Sequence, residues 1–166
     1  MKIAVASDHA GFELKERLRV YLQHEGYDVA DLGPRTYTPG DDYPDFAGPA
    51  AEMVSKGEAD RAILVCDSGI GVDIVANKLP GVRSALVHDE ELARLTREHN
   101  DTNVLALGSM FVDEEKAKRI AKNWLETEFS DADRHKRRLA KITELERREL
   151  PAVSAGNGDD DAGMCE

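Results

Sequence analysis

The apolar positions along the chain follow two patterns that alternate with each other. Five short and mostly apolar runs have the length and composition of buried strands, and they cover residues 3–6, 29–32, 62–65, 84–87 and 104–107. Between and after these runs, apolar residues recur at spacings of three and four, which is typical of a helix that buries one face. This spacing predicts helices over 12–22, 46–54, 72–78, 90–98, 113–128 and 131–149.

Strands that alternate with helices along the chain predict an α/β fold. The apolar runs are continuous, which indicates strands that are buried on both faces. A five-stranded parallel sheet flanked by helices and joined by right-handed crossovers satisfies this pattern. The last two helices close the domain, and acidic Asp113 and Asp131 are suited to their N-termini. We expect one domain over 1–150, followed by an acidic disordered tail over 151–166.

Composition narrows the classes of function. The chain has 166 residues, of which 41% are hydrophobic and 33% are charged, with a formal net charge of -11. This charge argues against nucleic acid as a partner, because a phosphate backbone would be repelled. The apolar runs are strand-sized and no secretory signal precedes them, so we expect a cytoplasmic protein with no membrane partner.

The charge is unevenly distributed. Between Asp131 and Arg148, seven Lys or Arg residues stand against four Asp or Glu residues, which leaves a local excess of positive charge. Arg134 and Arg138 are four residues apart and therefore share one helix face. The pair suits a phosphate dianion, although a solvated charged face explains the same pattern.

Chemically versatile residues follow the predicted strands, where an open parallel sheet binds its ligands. Three loops stand out, and we expect the fold to bring them to one edge: 7–11 (Ser-Asp-His-Ala-Gly), 66–71 (Cys-Asp-Ser-Gly-Ile-Gly) and 99–103 (His-Asn-Asp-Thr-Asn). The glycines of the second loop allow main-chain N–H groups to converge on an anion, but they also suit an ordinary tight turn. Cys66 is interpreted either as a buried apolar residue or as a base or nucleophile. His9 and His99 are surface histidines or members of a site.

These residues resemble those of the family that contains type B ribose-5-phosphate isomerase and the subunits of galactose-6-phosphate isomerase. The resemblance covers roughly residues 1–148. It runs through segments 7–15, 42–44, 66–71, 76–78, 97–108 and 134–138 in the family's order. Several separated motifs in one order are far more specific than any single motif.

The resemblance implies a flavodoxin-like, Rossmann-like fold with a C-terminal helix, and no metal or organic cofactor. It also implies a homodimer or a dimer of dimers whose sites are shared between subunits. It further implies an aldose–ketose isomerase that converts a small sugar phosphate through an enediolate. Cys66 is then the base that moves a proton between C2 and C1, and His99 opens the sugar ring. Ser68, Gly69 and Gly71 form the amide cradle for the enediolate.

The same resemblance assigns the substrate contacts. Asp8 and Asn100 hold sugar hydroxyls, and Tyr43 belongs to the same substrate site. His9, Arg134 and Arg138 bind the phosphate, and some of these residues come from the partner subunit.

Three positions depart from the pattern of family members that act on ribose 5-phosphate. Asp67 replaces a glycine, Asp73 replaces a small polar residue, and Met110 replaces an arginine of the phosphate site. Asp67 either opposes the enediolate or binds sugar hydroxyls and selects a different sugar. The alternative function is therefore a non-catalytic sugar-phosphate-binding protein of the same fold. A flavin or nucleotide module is disfavoured by an aromatic content of 5%.

Overall fold

The computed structural model describes residues 1–148 of the chain. Within this part the chain forms five strands and six helices. The strands are β1 (Lys2–Ser7), β2 (Asp28–Asp31), β3 (Arg61–Cys66), β4 (Ser84–Leu86) and β5 (Val104–Gly108). The helices are α1 (Phe12–His24), α2 (Pro44–Ser55), α3 (Ile70–Ala76), α4 (Glu90–Asn100), α5 (Glu114–Glu126) and α6 (Asp133–Glu146).

The five strands form one parallel sheet in the order β2-β1-β3-β5-β4. The predicted α/β class, strand number and strand direction are confirmed. Flavodoxin itself has the order 2-1-3-4-5, so the two folds differ in the exchange of the last two strands. This exchange makes β5 the direct neighbour of β3, with Cys66 opposite Gly108.

Helices cover both faces of the sheet, as continuous apolar strands require. On one face α1, α4 and α5 pack against β-strand side chains in a core that includes fully buried Leu22, Ile120 and Trp124. On the other face α2 and α3 pack through small residues such as Ala50 and Ala76. The small side chains allow these two helices to approach the sheet closely.

The last two helices differ in how they begin and pack. Asp113 caps α5, and its carboxylate accepts the N–H of Lys116 at 2.8 Å, as predicted. The prediction that Asp131 opens α6 is wrong, because Asp131 adopts a left-handed φ of 53° and the helix begins only at Asp133. Of the α6 side chains, His135 alone is buried. The predicted domain end at 150 and the predicted tail over 151–166 lie outside the described residues, so both stay predictions.

Candidate active site

The turn between β3 and α3 holds the Cys66 side chain at the carboxyl edge of the sheet. Cys66 is the last residue of β3 and is 5% exposed, and its Sγ accepts the main-chain N–H of Gly69 at 3.1 Å. Gly69 has a φ of +79°, and a Cβ there would lie 2.9 Å from the main-chain nitrogen of Gly108. Only glycine fits this close approach to β5, so the turn geometry depends on it.

The rest of the turn begins α3 beneath a tyrosine ring. The N–H of Ile70 donates to the Oγ of Ser68 at 3.3 Å. Gly71 leaves room for Tyr43, since a Cβ at Gly71 would lie 2.7 Å from Cζ of that ring. The structure thus brings the predicted residues Ser68, Gly69, Gly71 and Tyr43 together with Cys66. The use of the turn as an amide cradle stays a prediction.

The loop after β1 lies beside this turn. Asp8 is 7% exposed, and its Oδ1 accepts the N–H of Gly11 at 2.9 Å. Gly11 packs on the main chain where β3 ends, because a Cβ there would lie 2.5 Å from the carbonyl oxygen of Val65. The buried Asp8 carboxylate is therefore fixed at the same edge as Cys66.

His9 is held by a residue that the sequence analysis did not single out. Asp41 precedes α2, and its Oδ1 accepts the main-chain N–H of His9 at 2.7 Å and lies 2.8 Å from the ring nitrogen Nδ1. This hydrogen bond is the largest reason why the pKa of His9 is raised above its usual value of 6.5, and the charge of Asp8 adds to it. An acidic residue 32 positions away carried no local signal.

His99 and Asn100 lie at the opposite edge of the sheet. They end α4, directly before β5, and β5 begins at Val104, which pairs with Ala62 near the start of β3. The carboxyl end of β5 is at Gly108, four residues or about 13 Å further along the strand. The prediction that the three loops meet at one edge of the sheet is therefore wrong. His99 and Asn100 precede a parallel strand, and such residues lie at its amino end.

A compact basic group forms at this amino edge. The rings of His99 and His135 are 4.5 Å apart between centroids. The Nε of Arg134 donates to Nε2 of His135 at 3.1 Å, and Nδ1 of His135 lies 2.7 Å from the Oγ of Ser130. Burial lowers the pKa of His135, and the charges of Arg134, His99 and Arg138 lower it further. A neutral imidazole with its proton on Nδ1 satisfies both contacts.

His135 was missed as a site residue by the sequence analysis. The signal that could have found it is its place between Arg134 and Arg138 within one matched motif. Its burial, at 2% exposure, follows from packing of α6 on α4.

An ion-pair network fixes the end of α4. Asp101 adopts a left-handed φ of 47°, and its two carboxylate oxygens accept from Arg97 at 2.7 Å and Arg83 at 2.9 Å. Arg83 Nε also donates to the main-chain carbonyl of Asn100 at 3.2 Å. These contacts hold the segment that presents His99 and Asn100.

The three residues that depart from the family pattern, Asp67, Asp73 and Met110, also lie near the carboxyl edge. Asp67 is exposed, and its carbonyl accepts the N–H of Met110 at 3.0 Å, so the two substitutions are neighbours. The Met110 side chain is 65% exposed. Asp73 lies on α3 and has one buried carboxylate oxygen, Oδ1, that makes no hydrogen bond within the described part of the chain.

The predicted site residues thus form two groups. The carboxyl-edge half-site consists of Asp8, His9, Tyr43, Cys66, Asp67, Ser68, Gly69 and Gly71. The amino-edge half-site consists of His99, Asn100, Arg134 and Arg138, to which the structure adds His135. A single copy of the chain presents each half-site but does not bring the two together.

Within residues 1–148, no three His, Cys, Asp or Glu side chains are arranged to bind a metal ion. No helix there combines the length and the apolar character that a membrane span requires.

Comparison with known proteins gives consistent matches over most of the chain. The model of the Ribose/Galactose Isomerase family matches residues 3–142. The putative sugar phosphate isomerase YwlF of Bacillus subtilis is 45% identical over 150 residues, which are 90% of this chain and 100% of that protein. Ribose-5-phosphate isomerase B of Escherichia coli is 42% identical over 89% of this chain and 97% of its own length.

Solved structures agree in fold. Ribose-5-phosphate isomerase B of Clostridium thermocellum gives a TM-score of 0.85 at 44% identity, over 88% of this chain and 97% of that one. The enzyme of the same name from Mycoplasma genitalium, crystallised with bound ribulose-5-phosphate, gives a TM-score of 0.86 at 41% identity, over 89% and 97% of the two chains.

Proposed function

Because this chain belongs to the ribose/galactose isomerase family, we propose that it interconverts ribose 5-phosphate and ribulose 5-phosphate, or a closely related pair of sugar phosphates. The reaction class is aldose–ketose isomerisation of a sugar phosphate. The single observation that carries the proposal is the Cys66 sulfur, held at the mouth of the turn that begins α3. A relative of 41% identity holds ribulose-5-phosphate in its crystal structure.

The carboxyl-edge half-site suits the proton transfer. Cys66 takes the proton from C2 of the aldose and returns it to C1, so that one residue serves both carbons. The N–H groups of the Ser68–Gly69 turn stabilise the negative charge that develops on the enediolate oxygen. Asp8 holds a sugar hydroxyl beside them. This chemistry needs no redox cofactor, since the oxidation of C2 is balanced by the reduction of C1 within the same molecule.

A second copy of the chain completes the site. The ring-opening residue His99 and the basic residues Arg134 and Arg138 lie at the wrong edge to reach Cys66 of their own chain. In a two-fold symmetric dimer, the amino-edge half-site of each subunit can face the carboxyl-edge half-site of the other. We therefore propose a homodimer, or a dimer of such dimers, with two shared sites in each pair.

Exposed apolar side chains support this assembly. Ile70 and Ile74 on α3 are 52% and 55% exposed, and Phe111, after β5, is 59% exposed. Large exposed apolar residues gathered beside a site are typical of a surface that another protein covers. They surround the turn that carries Cys66.

The substrate phosphate lies between charges of both subunits in this proposal. His9 approaches it from one subunit, and Arg134 and Arg138 approach it from the other. A phosphate held at the far end of the sugar positions C1 and C2 over Cys66. A cytoplasmic location and the absence of nucleic-acid and membrane partners stay predictions from the sequence.

The test is a screen of aldose phosphates in deuterated water. Ribose 5-phosphate, allose 6-phosphate and erythrose 4-phosphate are each incubated with the chain, and deuterium incorporation and ketose formation are followed by NMR. We expect exchange at C2 with at least one of them and none with Cys66→Ala. Binding of a sugar phosphate without exchange would favour the non-catalytic alternative, and the absence of both would overturn the proposal.

A mixing experiment tests the shared site. On a cyclic substrate such as ribose 5-phosphate, Cys66→Ala and His99→Ala proteins are each expected to be nearly inactive, but a heterodimer has one site with both residues intact. After dissociation and random reassociation, about a quarter of all sites are intact, so about a quarter of wild-type activity returns. No recovery, with heterodimers shown by mass spectrometry, would place both residues in one subunit's site.

A further inference from the structure

The contact between His9 and Asp41 joins the loop after β1 to the segment between β2 and α2. One carboxylate oxygen of Asp41 accepts the main-chain N–H of His9 and faces its ring Nδ1, at 2.7 and 2.8 Å. Two bonds to a single oxygen fix the backbone and the ring together. The imidazole therefore has one orientation, with Nδ1 turned to Asp41 and Nε2 turned away.

The other ring nitrogen is available to a ligand. Nε2 of His9 makes no hydrogen bond to any of residues 1–148, and the side chain is 33% exposed. Because Nδ1 faces a carboxylate, Nδ1 carries a proton. Nε2 of the neutral ring is then an acceptor, and Nε2 of the imidazolium is a donor that suits a phosphate oxygen.

The surroundings of the Asp41 carboxylate favour the imidazolium. The Asp41 side chain is 10% exposed, and its second oxygen, Oδ2, is buried without a hydrogen-bond partner in the described chain. A carboxylate withdrawn from water in this way is stabilised by a positive charge on the group it bonds. Among residues 1–148, His9 is the one side chain that bonds it, and the pKa of His9 is raised mainly by that bond.

Other charged groups near His9 do not replace Asp41. Asp8, on the same loop, raises the pKa of His9 less than Asp41 does. Glu13 and Arg17 of α1 and Glu114 of α5 line a cavity of about 520 Å³ with His9, as does the Tyr37 ring. Arg17 and Glu114 lie 3.7 Å apart and largely offset each other.

We propose that Asp41 is a positioning residue for substrate binding, which holds His9 as an imidazolium with its Nε2–H directed at the substrate phosphate. This inference rests on the proposed function. Asp41 does not touch the substrate in this arrangement. It acts through His9, and a carboxylate is required because an amide offers the same shape without the charge.

The experiment compares Asp41→Asn with a matched control, Asp45→Asn, which removes one exposed carboxylate four residues along the chain. The dissociation constant of inorganic phosphate is measured by calorimetry between about pH 5.5 and pH 8. The loss of a charge-assisted bond is expected to weaken phosphate binding of Asp41→Asn about tenfold at the alkaline end. The loss shrinks toward the acid end, where His9 is protonated without help. A structural defect would give a loss that does not depend on pH.

Direct titration of His9 gives a second, independent readout. The imidazole signals of the five histidines are followed by NMR, and His9→Gln identifies the signal of His9. In wild type we expect His9 to titrate above its usual value, and in Asp41→Asn close to it. This readout of wild type stands even if Asp41→Asn fails to fold.

Three results would overturn the inference: a wild-type His9 that titrates no higher than His9 of Asp41→Asn, phosphate binding that Asp41→Asn leaves equal to the control, or a pH-independent loss. None of these depends on turnover. If wild type fails to isomerise every sugar phosphate tested, the proposed function fails instead, so the two failures are distinguishable.

Discussion

The sulfur of Cys66 accepts a hydrogen bond from the main-chain N–H of Gly69, with 3.1 Å between the two atoms. The bond ties the sulfur to the turn that begins α3, while the Cys66 side chain also packs in the core cluster on the α2 and α3 face of the sheet. A side chain that is 5% exposed thus has its reactive atom at the edge where parallel sheets bind ligands.

Replacing Cys66 by alanine is expected to abolish isomerisation and to leave substrate affinity within a few-fold. The base acts in the transition state and contributes little to binding of the ground state. Steady-state kinetics on ribose 5-phosphate and calorimetric binding of the same sugar measure the two effects separately. Full activity of the variant would remove Cys66 from the mechanism.

His99→Ala is expected to separate cyclic from open-chain substrates. A ring-opening acid or base contributes about 10²- to 10⁴-fold, but only to a substrate whose ring must open. Erythrose 4-phosphate is the open-chain probe, because its ring-closing hydroxyl carries the phosphate. Exchange at C2 in deuterated water is measured with ribose 5-phosphate as the cyclic substrate and with erythrose 4-phosphate. Equal losses of activity on the two sugars would contradict the assigned role.

Arg134→Ala and Arg138→Ala are each expected to weaken substrate binding by about ten- to a hundred-fold, which is the loss of one charge-assisted contact. Sulfate should compete with the substrate in wild type and less well in both variants. Lys136→Ala is the matched control, because Lys136 forms an exposed pair with Asp131 and faces away from both arginines. Unchanged affinity in both arginine variants would mean that this helix face is merely solvated.

Asp67→Gly is expected to move substrate preference toward ribose 5-phosphate. Asp67 is exposed beside Cys66, where its carboxylate can accept bonds from sugar hydroxyls and select a different sugar. We expect the ratio of kcat/KM for ribose 5-phosphate to that for allose 6-phosphate or erythrose 4-phosphate to rise by about tenfold or more. Strong wild-type activity on ribose 5-phosphate that the substitution leaves unchanged would refute this role.

Gly71→Ala is expected to lower activity without lowering stability. A Cβ at this position would lie 2.7 Å from the Tyr43 ring and displace it, while alanine favours the helix by about 1 kcal/mol over glycine. Gly48→Ala is the matched control, since Gly48 lies within α2 and a Cβ there would meet nothing within 4 Å. Thermal unfolding and kcat/KM are compared, and equal activity of the two variants would show that the position of Tyr43 does not matter.

Much of the fold is determined by patterns within single segments of the sequence. Apolar runs and helical spacing predicted all five strands and six helices, because burial on two faces or on one face sets the pattern of each segment independently. The chemistry of the turn after β3 was also readable, since Cys66, Ser68 and Gly69 are adjacent along the chain. One helix start was misplaced, at Asp131, because a left-handed φ leaves no signature in an aspartate.

The tertiary structure decided which residues can act together. Insertion of β5 between β3 and β4 put Gly108 opposite Cys66. His99 comes just before β5 and therefore lies at the amino edge of the sheet, which turned one predicted site into two half-sites. The pairing of His9 with Asp41 spans 32 residues and two elements. Such contacts depend on strand order and on the direction in which each loop leaves the sheet. The sequence of a single segment determines its own burial pattern, but not which residues of distant segments lie beside it.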